Sequence, residues 1–266
     1  MPTRFDRDTA VEALDPELGI HRGRIDPGWW VMQGPNGGYL AAILLRALAQ
    51  RVEPARAARS LTVHYTARAE AGPVRIETRV EREGRSLSTV TGRMLQGERL
   101  LALALAAFSR PRAGPRFDHA EMPEVAPPEA CPTFPSRVPI HDRFEHRWAI
   151  GDPPGSGSRQ ARVGGWIRSA EPQIADAPLV AAFTDAWPPA CFSWMSEGVI
   201  LGGVPTVDLT VHFRRQLPLA AARAGDFYLA VFHSRVGEEG FIEEDGEVWS
   251  RDGSLLVQSR QLAAIG

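Results

Sequence analysis

Lysine is absent from the chain: all 30 basic side chains among its 266 residues are arginine. That absence excludes a Schiff-base or pyridoxal lysine and the lysine of a phosphate-binding P-loop. Cysteine is scarce, with Cys131 and Cys191 the only two. A disulfide-dense secreted framework and a four-thiolate zinc site are both excluded. No apolar run reaches the roughly 18 residues of a membrane span. The longest, 100-LLALALAAF-108, has the length of a buried strand. Neither sign of charge dominates: 30 basic residues stand against 32 acidic ones. Neither nucleic acid nor a membrane is therefore expected as a partner. The first residues, MPTRFDRDTAVEAL, are charged and hold no apolar core, so they do not read as a signal peptide. A cytoplasmic location is expected. Also missing are a G-x-S-x-G elbow, an H-E-x-x-H pair and a Walker loop.

What is present is a repeat. The stretch 61-LTVHY-65 returns as 209-LTVHF-213, an offset of 148 positions from His64 to His212. Each copy follows a helical segment and precedes three further strands. In the first half a helix is expected over 36-NGGYLAAILLRALAQRV-52, with Asn36 as N-cap. A meander of antiparallel strands is expected over 59–69, 73–82, 86–95 and 99–109. In the second half the helix is expected over 177-APLVAAFTDAWPPACF-192, ended or kinked by Pro188-Pro189 near Asp185–Trp187. Its strands are expected over 205–217, 226–236, 240–250 and 254–264. A proline-rich connector divides the chain into 1–109, 110–139 and 140–266. Two copies of one unit, each a long helix under an antiparallel sheet, predict an α+β internal pseudo-dimer. Alternation puts Val207, Leu209, Val211 and Phe213 on the helix side. Thr206, Asp208, Thr210 and His212 fall on the other side.

Several constellations compete for chemistry. His64 and His212 lie mid-strand opposite the apolar set and read as duplicated scaffold. The cluster His141, Asp142, Glu145 and His146 has metal-ligating residue types, but its segment also reads as a strand, so no metal is expected. Cys191 reads as a buried inert thiol, and Cys131 has no identifiable base. Two features stand out. Asn36, Gly37 and Gly38 open the first helix, where bare N–H groups suit a developing oxyanion or a phosphate; tight packing against the sheet is the plainer reading. Asp185 sits in an apolar helical stretch, where a carboxylate is costly unless it has a task; capping the helix, or facing solvent at its end, is the plainer reading there.

At these residues the chain resembles the type II-like (TesB-like) acyl-CoA thioesterases of the hotdog superfamily, in their double-hotdog form. The resemblance is carried by Trp30 through Ala42, by Thr206 through Arg215, and by the Asp252-Gly253 turn with the glutamine beyond it. It implies hydrolysis of an acyl-CoA thioester by water, without a cofactor, in a homo-oligomer of double-hotdog chains. It assigns Asp185, Thr206 and Gln261 to holding and activating that water; the bare N–H groups of Asn36–Gly38 are then the candidate donors to the substrate carbonyl. Gln258 is the rival to Gln261, three residues away and so on the opposite face of a regular strand; a bulge would reverse the choice. Two other classes stay open: a non-catalytic acyl-CoA or acyl-carrier binder, and a hotdog hydratase or dehydratase, which needs a catalytic histidine.

Overall fold

In the computed structural model the two copies of the repeated strand lie side by side. The structure describes residues 1–32, 34–135, 137–196 and 203–265. Gln33, within the Trp30–Ala42 stretch, and Ser136 of the connector lie outside the described residues.

The first half opens with a short helix α1 (Arg4–Asp8) and the strands β1 (Glu12–Asp15) and β2 (Ile20–Ile25). A two-stranded hairpin, β3 (Trp30–Val31) and β4 (Gly34–Pro35), leads into α2 (Gly37–Ala49). Then come β5 (Ala57–Tyr65), β6 (Gly72–Glu83), β7 (Leu87–Gln96) and β8 (Arg99–Ser109). The second half has β9 (Phe144–Ile150), β10 (Ala161–Ser169), α3 (Ala177–Phe183) and α4 (Cys191–Trp194). It closes with β11 (Thr206–Phe213), β12 (Tyr228–Ser234), the short β13 (Gly237–Glu238), β14 (Phe241–Ser250) and β15 (Leu255–Ala264).

One large antiparallel sheet runs β1-β2-β6-β7-β8-β5-β11-β15-β14-β12-β10-β9. Read outward from the β5–β11 junction, the order is the same in both directions. The repeated unit is therefore two strands, a helix and four strands. Of its first two strands the sequence reading reaches only β9: β1 and β2 are short, and β10 carries the glycine pair Gly164-Gly165. The expected meander also needs correction. β5 pairs with β8, not with β6. The continuously apolar β8 lies between β5 and β7, but it is not buried on both faces as its sequence suggests: Leu103 and Leu105 are 40% and 49% exposed.

At the junction Thr62 faces Thr210, and their hydroxyls lie 3.0 Å apart. These two threonines are the same position of the repeat, so an approximate twofold axis passes between them. Replacing Thr62 with valine strands one hydroxyl and is expected to cost about 1 kcal/mol. The added change Thr210→Val should then cost little more, because the pair is already broken. Urea unfolding of the two single variants and the double variant measures this.

The helix α2 is buried along nearly its whole length, with Asn36 accepting from the Tyr39 N–H as N-cap. Leu61 and Val63 of β5 and Leu209, Val211 and Phe213 of β11 belong to the same core. α2 packs on α3 at Gly38, where an added Cβ would lie 2.8 Å from the Ala182 carbonyl oxygen. The connector has no strand or α-helix among its described residues, only 3-10 turns, and its Cys131 joins a second, smaller core with Trp166 and Trp249. Among the described residues no helix is long and apolar enough to cross a membrane.

Candidate active site

The second helix is shorter than its sequence suggests. α3 ends at Phe183, and the Thr184 hydroxyl donates to the Ala181 carbonyl at 2.7 Å. Asp185 and Ala186 follow in tight turns, their N–H groups reaching the carbonyls of Ala182 and Phe183. Pro188 and Pro189 bring no N–H to continue the ladder. Asp185 is thus not a helical residue. It stands just past the C-terminal end of α3, where the chain turns toward the start of α2.

There its carboxylate meets the opening of the other half's helix. Asp185 Oδ2 accepts from the Gly38 N–H at 2.9 Å and from Asn36 Nδ2 at 2.8 Å. Asn36 Nδ2 also donates to the Asp185 carbonyl at 2.5 Å. A Cβ on Gly37 would lie 3.0 Å from Asp185 Oδ2 and 3.1 Å from the Tyr65 hydroxyl, so glycine leaves room for both. Asn36 and Gly38 therefore hold a carboxylate of the chain itself. Asp185 keeps a partly accessible edge, yet protein atoms crowd its carboxyl group. Desolvation raises its pKa from the ordinary 3.8 to about 6, against the Gly38 and Gly37 amides and the Gln261 and Asn36 side chains, which favour the ionised form.

Thr206 and Gln261 approach from the sheet. The Thr206 hydroxyl donates to Gln261 Oε1 at 3.0 Å. Alternation alone puts Thr206 on the outer face, and the structure corrects this. A bulge between Thr206 and Asp208 pairs Thr206 with Ala263, which turns it to the face of Gln261. Gln258 lies on the other face and accepts from Arg214 at 2.9 Å. His64 and His212 are exposed on that outer face too.

The histidine–carboxylate cluster does not converge. Glu145 takes Arg147 and Arg168 as partners at 2.6 and 2.5 Å. His146 is buried, its pKa pushed down to about 3 chiefly by desolvation, so the neutral ring can donate Nε2–H to the Ala186 carbonyl 3.0 Å away. It pins the turn that carries Asp185. Burial raises the Cys191 thiol to about 12, with nearby Glu244 adding to the effect, and burial also raises Cys131. Neither is a nucleophile at neutral pH.

Two neighbours of Asp185 went unread in the sequence. The Tyr65 hydroxyl donates to the Gly37 carbonyl at 2.7 Å. It is the last letter of LTVHY, where the second copy has Phe213. Glu244 accepts from Gln261 Nε2 at 2.8 Å and from the Ala190 N–H at 2.5 Å. Its signal was available: in 241-FIEEDGEVWS-250 it shares parity with Ile242, Gly246 and Val248, the buried side.

The acyl-CoA thioesterase N-terminal domain matches residues 26–109, and the acyl-CoA thioesterase C-terminal domain matches residues 118–265. The chain belongs to the acyl-CoA thioesterase family. A hot dog fold protein of unknown function from Alicyclobacillus acidocaldarius is similar at TM-score 0.91 and 27% identity, covering 100% of this chain and 99% of that one. A candidate thioesterase II from Thermobifida fusca is similar at TM-score 0.82 and 26% identity, covering 99% and 98%. The acyl-CoA thioesterase II TesB2 from Mycobacterium marinum shares the fold at TM-score 0.78 and 18% identity, covering 98% and 96%. No curated protein sequence matches the chain.

In this thioesterase-family chain the polar group is built once, although the fold repeats. Counting from the N-caps Asn36 and Asp176, Asp185 corresponds to Leu45. Through the strand ladders Thr206 corresponds to Ala58, Gln261 to Ala106 and Glu244 to Val90. The place facing the start of α3 is filled by Arg46, which pairs with Asp6 at 2.9 Å and Asp176 at 3.4 Å.

Proposed function

We propose that the chain hydrolyses an acyl-CoA thioester to the free acid and coenzyme A, as a double hotdog with one working site. The observation that carries this is the carboxylate of Asp185, poised near pH 6 beside the Thr206–Gln261 pair in the second half alone. Thr206 and Gln261 orient a water, and Asp185 takes one of its protons. The water oxygen bonds to the thioester carbonyl carbon. The tetrahedral intermediate then expels the coenzyme A thiolate, which is reprotonated. The start of α2 at Asn36–Gly38 is the candidate donor to the carbonyl oxygen, but Asp185 already takes the Gly38 N–H and the Asn36 amide, so the substrate must displace or share the carboxylate there.

Thiol release across a panel of medium-chain and aryl acyl-CoAs tests the reading. Binding without thiol release would turn it into a carrier of acyl-CoA. The exposure of His64 and His212 on the outer face argues against a hydratase.

A pH dependence follows. The base works ionised, so kcat/KM should rise with pH through about 6 and fall away below it. A rate that stays flat from pH 5 to pH 8 would contradict this.

A further inference from the structure

Glu244 is 6% exposed, and no arginine pairs with it among the described residues. A second carboxylate buried so near Asp185 is costly. We propose that Glu244 is a positioning residue: as an acceptor-only carboxylate it fixes the amide of Gln261, and through it the direction of the Thr206 hydroxyl. This rests on the thioesterase reading of the site.

The donors and acceptors force the order. With Glu244 ionised, both its oxygens accept, one from Ala190 N–H and one from Gln261 Nε2. Gln261 must then turn its carbonyl oxygen to Thr206, whose hydroxyl donates to it. The lone pairs left on Thr206 Oγ1 are free to accept a proton of water, while Asp185 accepts the other. With Glu244 protonated, its O–H can donate to Gln261 Oε1. The amide can then turn over, giving up its bond to Asp185; Thr206 becomes the acceptor, and its hydroxyl proton points at the water instead. The seat changes from one that accepts protons to one that donates.

The titratable groups that act on Glu244 are Asp185 from the turn after α3, the Cys191 thiol of α4, and Glu243, its strand neighbour on the opposite face. Burial raises the Glu244 carboxyl to about 7, and the charges of Asp185 and Glu243 add to this. The charge of Asp185 thus adds to burial in holding the Glu244 carboxyl up. The first half has Val90 in the place of Glu244, so the fold does not need a carboxylate there.

The test uses the full chain with Glu244→Val and Glu244→Gln. Both are expected to keep KM within about twofold and to lose about 10²-fold in kcat for the valine variant, the scale of a misplaced reacting group. In the wild type the acid limb should reflect two ionisations; in Glu244→Gln it should reflect one, at lower pH. Infrared titration of the buried carboxyl groups needs no activity. There, Asp185→Asn should lower the pH at which Glu244 ionises. Folded variants with wild-type kcat and an unchanged acid limb overturn the proposal. So does a Glu244 titration indifferent to Asp185→Asn, even if the wild type releases no thiol. Absence of thiol release by the wild type, with the infrared coupling intact, sinks the thioesterase reading and leaves the coupling standing.

Discussion

Asp185→Asn is expected to reduce kcat for acyl-CoA hydrolysis by about 10²–10⁴-fold, the usual worth of a general base. Asparagine keeps the size of the side chain and an oxygen for Gly38 N–H and Asn36, so the fold should survive. Its amide cannot take a proton from water. The same substitution should make the protein more stable at pH 8. The folded-state pKa of Asp185 lies above its ordinary 3.8. Between those values the folded state holds more protons than the unfolded one, so rising pH lowers stability across the window from about 3.8 to about 6. Above the window the full penalty of the buried charge is present, and asparagine removes it. Lower activity with a higher Tm at pH 8, and a smaller gain at pH 4, is the expected pair of results. A loss of both activity and stability would point to a structural role instead.

Gly38→Ala should destabilise the protein by about 1–3 kcal/mol, as overpacked sites do. The sign is the point. In the interior of a helix, glycine to alanine usually gains up to ~1 kcal/mol. Here the new Cβ would stand 2.8 Å from the Ala182 oxygen and 3.0 Å from Asp185 Cβ. Neither belongs to a flexible side-chain end, so α3 and the turn carrying Asp185 must move. The carboxylate then leaves the Gly38 N–H, and kcat should fall with stability. Urea unfolding beside steady-state kinetics measures both. A stabilised, fully active Gly38→Ala would mean that the helices do not meet there.

The sequence pattern carried the fold further than it carried the site. The repeated LTVH strands, the helix from Asn36 and the four strands of each half followed from period-two and helical spacing, which local chain geometry dictates; β11 ends at Phe213, short of the expected 217. The pairing of β5 with β8 did not, because alternation specifies faces and not neighbours. Asp185 stood out because a carboxylate in an apolar run has few cheap explanations. Thr206 was misplaced by alternation, since a one-residue bulge reverses parity and leaves no mark in composition. Glu244 was hidden between Glu243 and Asp245, so a buried acid looked like part of a solvated charge run. The role of Gly38 was visible as a helix opening. Its contact with Asp185 was not, because the two are 147 residues apart.

The central claim is that Asp185 activates water directly. The most direct measurement is a single turnover of acyl-CoA in oxygen-18 water, followed by mass analysis of the released acid and of the Asp185 peptide. Direct attack predicts one heavy oxygen in the acid and none in the peptide. Heavy oxygen in the Asp185 carboxyl group, with unlabelled acid, would contradict the account by making Asp185 the nucleophile.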